Sequence, residues 1–248
     1  MNDEAVVGSE QSGLSQVARV VNTFVAPTAT FRDILRSTSW WLPFVLMLVF
    51  STGAMYTVDR HVGFNRVAEN QVQASPSQAQ QLSQLTPEDR ASQMEKRAIG
   101  TRYFSYLFPI FLLITFAIYA GIMLGTFNLG LGAKMTYGQV FAVSMYASLP
   151  YLVISLLTIV TVAFGDNSET FNLQNPVGTN LAYYLPDAAP WLKALLAQFD
   201  IVKLWSLVLS VVGLKTVSKT STGQAAAVVV GWWLLFVIVG VAFAAAFS

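Results

Sequence analysis

Charged residues are missing from long stretches of this 248-residue chain. Residues 37–58, 103–133, 135–165 and 220–248 contain no Lys, Arg, Asp, Glu or His, and they are rich in Leu, Val, Phe, Ala and Ile. About 20 apolar residues wound as a helix, at ~1.5 Å per residue, match the ~30 Å hydrocarbon core of a bilayer. Because these runs are continuous and do not alternate, they predict transmembrane helices and not the strands of a barrel.

Cysteine is absent and histidine occurs once, at His61. The chain therefore has no disulfide, no thiolate metal site and no cysteine nucleophile, and a single histidine cannot form a metal cluster. No glycine-rich loop has the spacing of a phosphate site. The scattered basic residues, with a net charge of +1, leave no footprint for nucleic acid. We predict no cofactor, no metal site, no nucleic-acid partner and no enzymatic activity, and we expect His61 to be solvated or interfacial.

Five spans account for the apolar runs, so the predicted fold is an all-α integral membrane protein. Only 11% of the residues are charged, against ~25% in typical soluble proteins. The predicted spans cover approximately residues 40–58, 103–127, 139–164, 201–217 and 225–246.

An amphipathic helix is predicted within residues 1–39, which form a cytoplasmic N-terminal segment. We expect the first 13 residues, which are polar, to be disordered. Gln16, Arg19 and Asn22 lie on the polar face of the helix, which either lies in the headgroup region or packs on the protein's own cytoplasmic side. Its apolar face has five residues at helical spacing: Leu14, Val17, Val20, Val21 and Phe24.

A second short helix is predicted after Pro27, which ends the first one. Thr30 is expected to cap this helix, with Asp33 closing the capping box. Trp40 and Trp41 then mark the headgroup level at the start of the first span.

The remainder, residues 40–248, is predicted to be one five-span membrane domain. Within it, residues 59–102 are polar and are expected to form an extracytoplasmic helical hairpin with its tip at residues 74–77. Thr86 is followed by proline and two acids, which is the pattern of a capped helix start. The helix that Thr86 begins should run into the second span.

Several residues near the predicted spans are candidates for a structural or functional role. Pro150 should kink the third span, and Asn175-Pro176 lie in an irregular loop. Asp187 could cap a short helix before the fourth span. Lys203 interrupts that span near its end, where it either forms a boundary ion pair with Asp200 or marks a functional site. The candidate set is Asp200, Lys203, Trp205, Pro150, Asn175 and Pro176.

Small residues suggest close helix packing in two spans. Gly121 and Gly125 in the second span, and Gly240 and Ala244 in the fifth, have the spacing that lets another helix approach.

Short loops indicate the orientation of the chain in the membrane. The segments predicted to be cytoplasmic carry basic residues: Arg19, Arg32, Arg36, Lys134, Lys215 and Lys219. The opposite loop, residues 165–200, holds one basic residue and four acids. The polar hairpin has six Lys or Arg residues, which argues against this orientation, but it is long and also acidic. We predict a cytoplasmic N-terminus and an extracytoplasmic C-terminus.

An internal similarity links two of the predicted helix starts. Residues 134–143 read KMTYGQVFAV and residues 219–228 read KTSTGQAAAV. In both, a hydroxyl residue precedes glutamine by three positions, which is the spacing of a capping box. The two segments are either copies in a repeated helical hairpin or independent solutions for starting a helix at one interface.

Short motifs near the span ends, in their order along the chain, resemble bacterial members of the Yip (Ypt-interacting protein) domain family. They extend from about residue 25 to the C-terminus: Pro27 with Thr30-Phe31 and Ile34; Trp40-Trp41-Leu42-Pro43; Gly132-Ala133-Lys134; Tyr146-Ala147-Ser148-Leu149-Pro150; Asn175-Pro176 with Asn180-Leu181; Phe199-Asp200 with Trp205-Ser206-Leu207 and Gly213-Leu214; and Val217-Ser218-Lys219 with Gly223-Gln224-Ala225.

The resemblance implies five spans and a cytoplasmic N-terminus. Eukaryotic relatives act in early secretory traffic and bind prenylated Rab-type GTPases, a partner that a bacterial source would not supply. The chain departs from those relatives in its short N-terminal segment and in its polar hairpin.

We therefore expect a non-enzymatic multi-pass membrane protein that acts in membrane organisation or trafficking-like processes through protein or lipid binding. The alternative is a small-molecule permease or the membrane subunit of a larger exporter, with Pro150 and the Asp200–Lys203 region as a gate. The expected partners are the lipid bilayer, a second copy of the chain or other membrane proteins. The expected location is a bacterial inner membrane.

Overall fold

The computed structural model describes residues 13–165 and 168–246, and these residues are helical with no strand. The eleven α-helices in these ranges are α1 (Gln16–Val25), α2 (Pro27–Ile34), α3 (Trp41–His61), α4 (Phe64–Gln73), α5 (Pro76–Ser83), α6 (Pro87–Gly125), α7 (Tyr137–Ala147), α8 (Tyr151–Phe164), α9 (Pro190–Leu196), α10 (Ile201–Ser218) and α11 (Thr222–Ala246). A π-helical turn, Thr126–Gly130, extends α6, and a 3₁₀ turn, Leu181–Tyr184, precedes α9. The predicted all-α fold is confirmed. The disorder expected for the first 13 residues lies, apart from Gly13, outside the described residues.

Within the described ranges, five helical segments are long and apolar enough to cross a membrane: α3, α6 with its π turn, α7 with α8, α10 and α11. Each matches one predicted span. The fourth begins at Ile201 as predicted, and the fifth begins three residues earlier than predicted, at Thr222. The helix bounds follow the apolar runs, because backbone N–H and C=O groups in lipid must form their hydrogen bonds within the helix.

The third span is broken at Pro150, as its predicted kink required. Proline has no backbone N–H to donate and clashes with the preceding turn, so α7 ends at Ala147 and α8 starts at Tyr151. The carbonyl of Ala147 bonds across to α10 instead, where Ser206 Oγ donates to it at 2.7 Å. The break is thus tied to the fourth span.

The core of the bundle surrounds α7, which packs against α6, α10 and α2. Its Tyr146 and the α2 residue Phe31 are fully buried. Gly213 of α10 allows a close approach, because a Cβ at this position would lie 2.5 Å from Val143 Cγ1 and 2.9 Å from Phe31 Cε1. The short helix α2 is therefore wedged into the same core as the spans.

Two of the predicted helix starts have reciprocal caps. Thr136 Oγ1 accepts from Gln139 N, and Gln139 Oε1 accepts from Thr136 N. Ser221 and Gln224 form the same pair of bonds. Both predicted capping boxes are confirmed, whereas a repeated hairpin stays a prediction.

The polar hairpin is helical, as predicted, and is formed by α4, α5 and the first turns of α6. Gly63, with φ 79°, separates α3 from α4, and Thr86 caps α6 by accepting from Asp89 N at 3.2 Å. Helix α6 continues without a break through Pro109 for 39 residues. The short helix α5 at the tip was not predicted.

The predicted small-residue contacts are wrong within the described chain. A Cβ added at Gly121, Gly125 or Gly240 would meet nothing within 4 Å. Gly121 and Gly240 are exposed and Gly125 is partly buried, so none of the three is a point of close helix contact in the described chain.

Candidate functional site

Asp200 is the centre of a polar cluster at the start of α10. It is 3% exposed, and its Oδ1 accepts from the backbone N–H groups of Val202 at 2.8 Å and Lys203 at 3.1 Å. Its Oδ2 accepts from Thr179 Oγ1 at 2.6 Å. A carboxylate in this position satisfies free N–H groups and faces the positive end of the helix dipole, so Asp200 is the N-cap of the fourth span.

The predicted ion pair between Asp200 and Lys203 is wrong. Lys203 Nζ instead donates to the carbonyl of Ala197 at 3.0 Å and to Gln198 Oε1 at 3.5 Å. The ammonium thus caps the end of the preceding turn. In residues 13–165 and 168–246 the ion pairs within 4.0 Å are Arg19–Asp33, Arg36–Asp33, Arg66–Glu69 and Arg102–Asp59.

Asn180 joins two of the predicted candidates. Its Nδ2 donates to Asn175 Oδ1 at 2.7 Å and, at 3.5 Å, to Asp200 Oδ2. The backbone of Ile201 donates to the Thr179 carbonyl beside it at 3.1 Å. Asn175 and Asp200 are therefore brought together through a residue that was absent from the candidate set, although it belongs to the Asn180-Leu181 motif of the resemblance.

Pro176 and Asp187 are the other two loop residues for which the sequence predicted a role. Pro176 follows Asn175 and is partly buried, and nothing in its contacts assigns it a role. Asp187 does not cap α9, because that helix starts at Pro190 with Ala189 as its N-cap residue. The prediction for Asp187 is wrong, since proline fixes the first helical turn three residues later.

Trp205 faces away from this cluster, toward the N-terminal part of the chain. Its ring meets the ring of Phe24 in an edge-on contact with centroids 5.3 Å apart. Pro150 is connected to the same half of α10 through the bond from Ser206 to Ala147. The first turns of α10 thus contact the 175–180 loop, the break in the third span and α1.

A second polar cluster lies around Arg19 in α1. Arg19 lies on the polar face of α1, as predicted, but this face is turned inward and the side chain is fully buried. Its Nε donates to Asp33 Oδ2 at 2.6 Å. Its two terminal nitrogens donate to backbone carbonyls of Ser37, Ser39 and Asp33 at 2.9–3.3 Å.

Thr30 belongs to this cluster and does not cap α2, which begins earlier, at Pro27. Its Oγ1 and that of Thr23 both donate to the Arg19 carbonyl at 2.8 Å. The predicted cap is wrong because proline at the first helical position starts the helix at Pro27, four residues before the start that a Thr30 cap requires.

Asp33 lies between two guanidinium groups. Burial alone would raise the pKa of Asp33, but hydrogen bonds from Arg36 and Arg19 outweigh it, so the pKa of this carboxyl lies below its ordinary value of 3.8. The exposed Arg36 donates to Asp33 Oδ1 at 2.9 Å, and this bond raises the pKa of Arg36. The carboxylate is therefore ionised at neutral pH and compensates the buried Arg19.

The outer side of α1 is apolar. Val17, Val21 and Val25, which we call the valine face, are 66%, 52% and 74% exposed. Val20 and Phe24 pack against the core, so α1 contacts the protein itself on that side, whereas its position relative to the cytoplasm stays a prediction. The sequence signal for the buried Arg19–Asp33 pair was an arginine near a span, followed by an aspartate 14 residues later. This pattern is too general to predict an ion pair.

The polar hairpin contains open cavities outside the apolar bundle. One of about 500 Å³ lies between α4, α5 and α6 and is lined by Val72, Leu82, Leu85 and Met94 with Glu69 and Arg90 at its polar edge. No group of three His, Asp or Glu residues in the described ranges could hold a metal ion. His61 is exposed, as predicted.

In both polar clusters, the Asp200 carboxylate and the Arg19 guanidinium form their hydrogen bonds with other groups of the protein. The Asp200 carboxylate accepts three bonds of 3.1 Å or less, and the Arg19 guanidinium donates four bonds of 3.3 Å or less. Such saturated groups hold helices and loops in place and leave no free base or nucleophile in these clusters.

Comparison with known proteins identifies one family. The model of the Yip1 domain matches residues 21–244, from the middle of α1 almost to the end of α11. No curated protein and no solved structure matches the chain.

Proposed function

The chain belongs to the Yip1 domain family, and on that premise we propose that this multi-pass membrane protein is non-enzymatic and organises its membrane by binding lipids or other membrane proteins. Yip1 is a membrane domain family without catalytic activity. The trafficking-like role follows from the family resemblance and belongs to the proposal.

The bonding of the buried hydroxyls inside the third span carries this proposal. Ser144 donates to the Val140 carbonyl at 3.0 Å, and Thr158 donates to the Ile154 carbonyl at 2.8 Å. Ser148, at the break, donates to the Met145 carbonyl at 2.8 Å. A path for a polar solute needs such groups to face the solute, whereas here they return to their own backbone. These three hydroxyls of the third span are thus not free to line a path for a solute, which favours binding at outer surfaces over transport along this span.

Exposed apolar faces supply the surface for such binding. Ile118 of α6 and Ile238 of α11 are both more than 60% exposed. Side chains of this kind contact acyl chains or the apolar side of another membrane protein.

The proposed location is a bacterial inner membrane with the N-terminus in the cytoplasm. Exposed cations cluster where α2 ends and where α6–α7 and α10–α11 are joined, and we call this region the basic end: Arg32, Arg36, Lys134, Lys215 and Lys219. Cytoplasmic loops are enriched in Lys and Arg, which supports this orientation. The polar hairpin and the loop before α10 lie at the opposite end.

The experiment is extraction of the full chain in polymer-bounded patches of its native membrane. We expect the patches to be enriched in particular lipid classes or particular membrane proteins relative to patches from the same cells without this chain. Patches of bulk composition, containing no second protein, would overturn the proposal. Solute uptake by vesicles carrying the purified chain, abolished by Lys203→Leu, would replace it with transport.

A further inference from the structure

Helix α1, which forms the N-terminal helix pair with α2, buries polar side chains and exposes apolar ones, unlike a surface helix in water. Its buried side holds Arg19 and Thr23, both fully buried, whereas the valine face is exposed. A surface helix in water turns its apolar stripe inward. In lipid the stripe can face outward, because acyl chains are as apolar as the side chains. We propose that the N-terminal helix pair re-enters the bilayer from the basic end and lays the valine face against lipid acyl chains.

Contacts with the fourth span show how far the pair extends into the bundle. The Phe24 ring packs on Trp205, which lies ten residues before Lys215 on α10. At 1.5 Å per residue this separation is about 15 Å along the helix. The tip of the pair at Ala26 therefore lies near the middle of a ~30 Å hydrocarbon core.

The start of α1 and the body of α2 lie closer to the basic end than this tip. Arg19, one turn into α1, donates to the carbonyls of Ser37 and Ser39 in the turn before α3. Phe31, on the returning helix, packs beside Gly213, close to the basic end. The pair thus enters and leaves through the same end of the bundle.

Internal hydrogen bonding makes this position compatible with lipid. Unpaired backbone groups are strongly unfavourable in a bilayer, and a charged side chain inside it needs a partner. The Arg19 guanidinium has its charged partner in Asp33. It also donates to the carbonyls of Ser37 and Ser39, which lie in the non-helical turn before α3 and have no helical partner there.

The residues around the valine face favour lipid as the molecule that contacts it. Next to Phe24, the fourth span exposes Trp205 and Val208, which are 40% and 58% exposed, so the apolar surface of α1 continues that of a span. The base of the pair carries the exposed residues Arg32 and Arg36, at the level where anionic headgroups attract cations.

Spin labels test the depth of the valine face in the full chain, which has no native cysteine. Single Val17→Cys, Val21→Cys and Val25→Cys variants are labelled and reconstituted into vesicles of phosphatidylcholine and phosphatidylglycerol. Collision rates with oxygen, which concentrates in the bilayer, and with a water-soluble nickel chelate are then compared. Val49→Cys, on the exposed side of α3, is the lipid control, and Lys219→Cys, in the α10–α11 turn, is the water control.

We expect the ratio of oxygen to nickel collisions at Val21→Cys and Val25→Cys to approach that of Val49→Cys and to exceed that of Lys219→Cys at least tenfold. Val25→Cys should be the deepest of the three. Nickel collisions at the level of Lys219→Cys, or a depth at the phosphate groups, would overturn the proposal. Low collision rates with both reagents would also overturn it, because they would show that protein covers the valine face. Each labelled variant must keep the parental melting temperature, so that a depth is read from a folded protein.

Discussion

Asn70 in α4 holds the distant residue Phe171 by donating from its side-chain amide to the Phe171 carbonyl at 2.9 Å. The same amide nitrogen donates to the carbonyl of Ser168 at 3.1 Å. The polar hairpin and the loop after the third span are therefore one connected unit, although about 100 residues separate them in the sequence.

Replacing Asn70 should loosen this connection. Asn70→Leu leaves two carbonyls without their donor, which costs ~1–3 kcal/mol for buried groups. Amide exchange should become faster in residues 168–173 and stay unchanged in α11. Gln73→Leu, an exposed change on the same helix, is the matched control. Equal exchange in parent and Asn70→Leu would show that the loop is held by other contacts.

Gly213 should not tolerate a methyl group. In Gly213→Ala the new Cβ would overlap Val143 and Phe31, and overpacking of a core costs ~1–3 kcal/mol. The melting temperature in detergent should fall, whereas Gly231→Ala, which meets nothing within 4 Å, should leave it near parental. Adding Val143→Ala should recover part of the loss, and additive losses would place the strain elsewhere.

Asp33 should be needed because Arg19 is buried. Asp33→Asn leaves the guanidinium without its counter-charge, and removal of one partner of a buried pair costs ~3–5 kcal/mol. We expect about 3 kcal/mol, since Arg19 keeps its carbonyl partners and Asp33 is 10% exposed. Combining Asp33→Asn with Arg19→Met should recover much of the loss in the free energy of unfolding. A double variant as unstable as Asp33→Asn alone would argue against the pair.

The same carboxylate predicts a pH dependence. The folded pKa of Asp33 is below its ordinary value of 3.8 because of the bonds from Arg36 and Arg19. Its contribution is therefore fully present above pH 3.8 and is lost as the pH falls below that value through the folded pKa. Denaturant titrations of the parent and Asp33→Asn should show a constant difference from pH 7 to about pH 4 and a shrinking one below. A difference that already shrinks near pH 6 would contradict this assignment.

Asp200 and Lys203 should be only weakly coupled, because their side chains do not form an ion pair and cap different segments. Asp200→Ala removes the acceptor of two backbone N–H groups and of Thr179, at ~1–3 kcal/mol. Lys203→Met loses an exchangeable bond to the Ala197 carbonyl and should cost ~1 kcal/mol or less. A double-mutant cycle on unfolding in detergent should be additive within ~0.5 kcal/mol. A large loss from Lys203→Met that Asp200→Ala rescues would show that Lys203 is buried with Asp200 as its partner and would favour the transport alternative.

Orientation is tested with single cysteines at four exposed positions. Ser77→Cys and Asp187→Cys should react with an impermeant maleimide in intact cells, because they lie at the end of the bundle proposed to be extracytoplasmic. Lys134→Cys and Lys219→Cys, at the basic end, should react only after permeabilisation. Labelling of either of these in intact cells would reverse the orientation.

The spans could be predicted from the sequence because their causes are local. A continuous apolar run satisfies the bilayer within one helix, and Thr86, Thr136 and Ser221 cap residues only three positions away. The break at Pro150 has an equally local cause in the missing N–H of proline.

The side-chain partners could not be predicted, because they depend on packing between distant segments. Arg19 fits the polar face of a helix by its spacing, yet its burial requires Asp33 and the turn before α3. Asp200 and Lys203 are three residues apart, and the loop residues Thr179 and Ala197 decide that they do not pair. The rule that a surface helix in water turns its apolar stripe inward also fails for α1, which exposes the valine face and buries Arg19 and Thr23.

The continuity of α6 has a mechanical consequence. A 39-residue helix is about 58 Å long, roughly twice the ~30 Å core. One part of α6 therefore lies in the bilayer, and the other part, its outer arm, extends beyond it. The outer arm forms a wall of the cavity in the polar hairpin. At the other end, Thr126 accepts from Trp232 Nε1 of α11 at 3.0 Å. One continuous helix, extended by its π turn, therefore joins a wall of the cavity outside the membrane to a hydrogen bond with the fifth span on the far side.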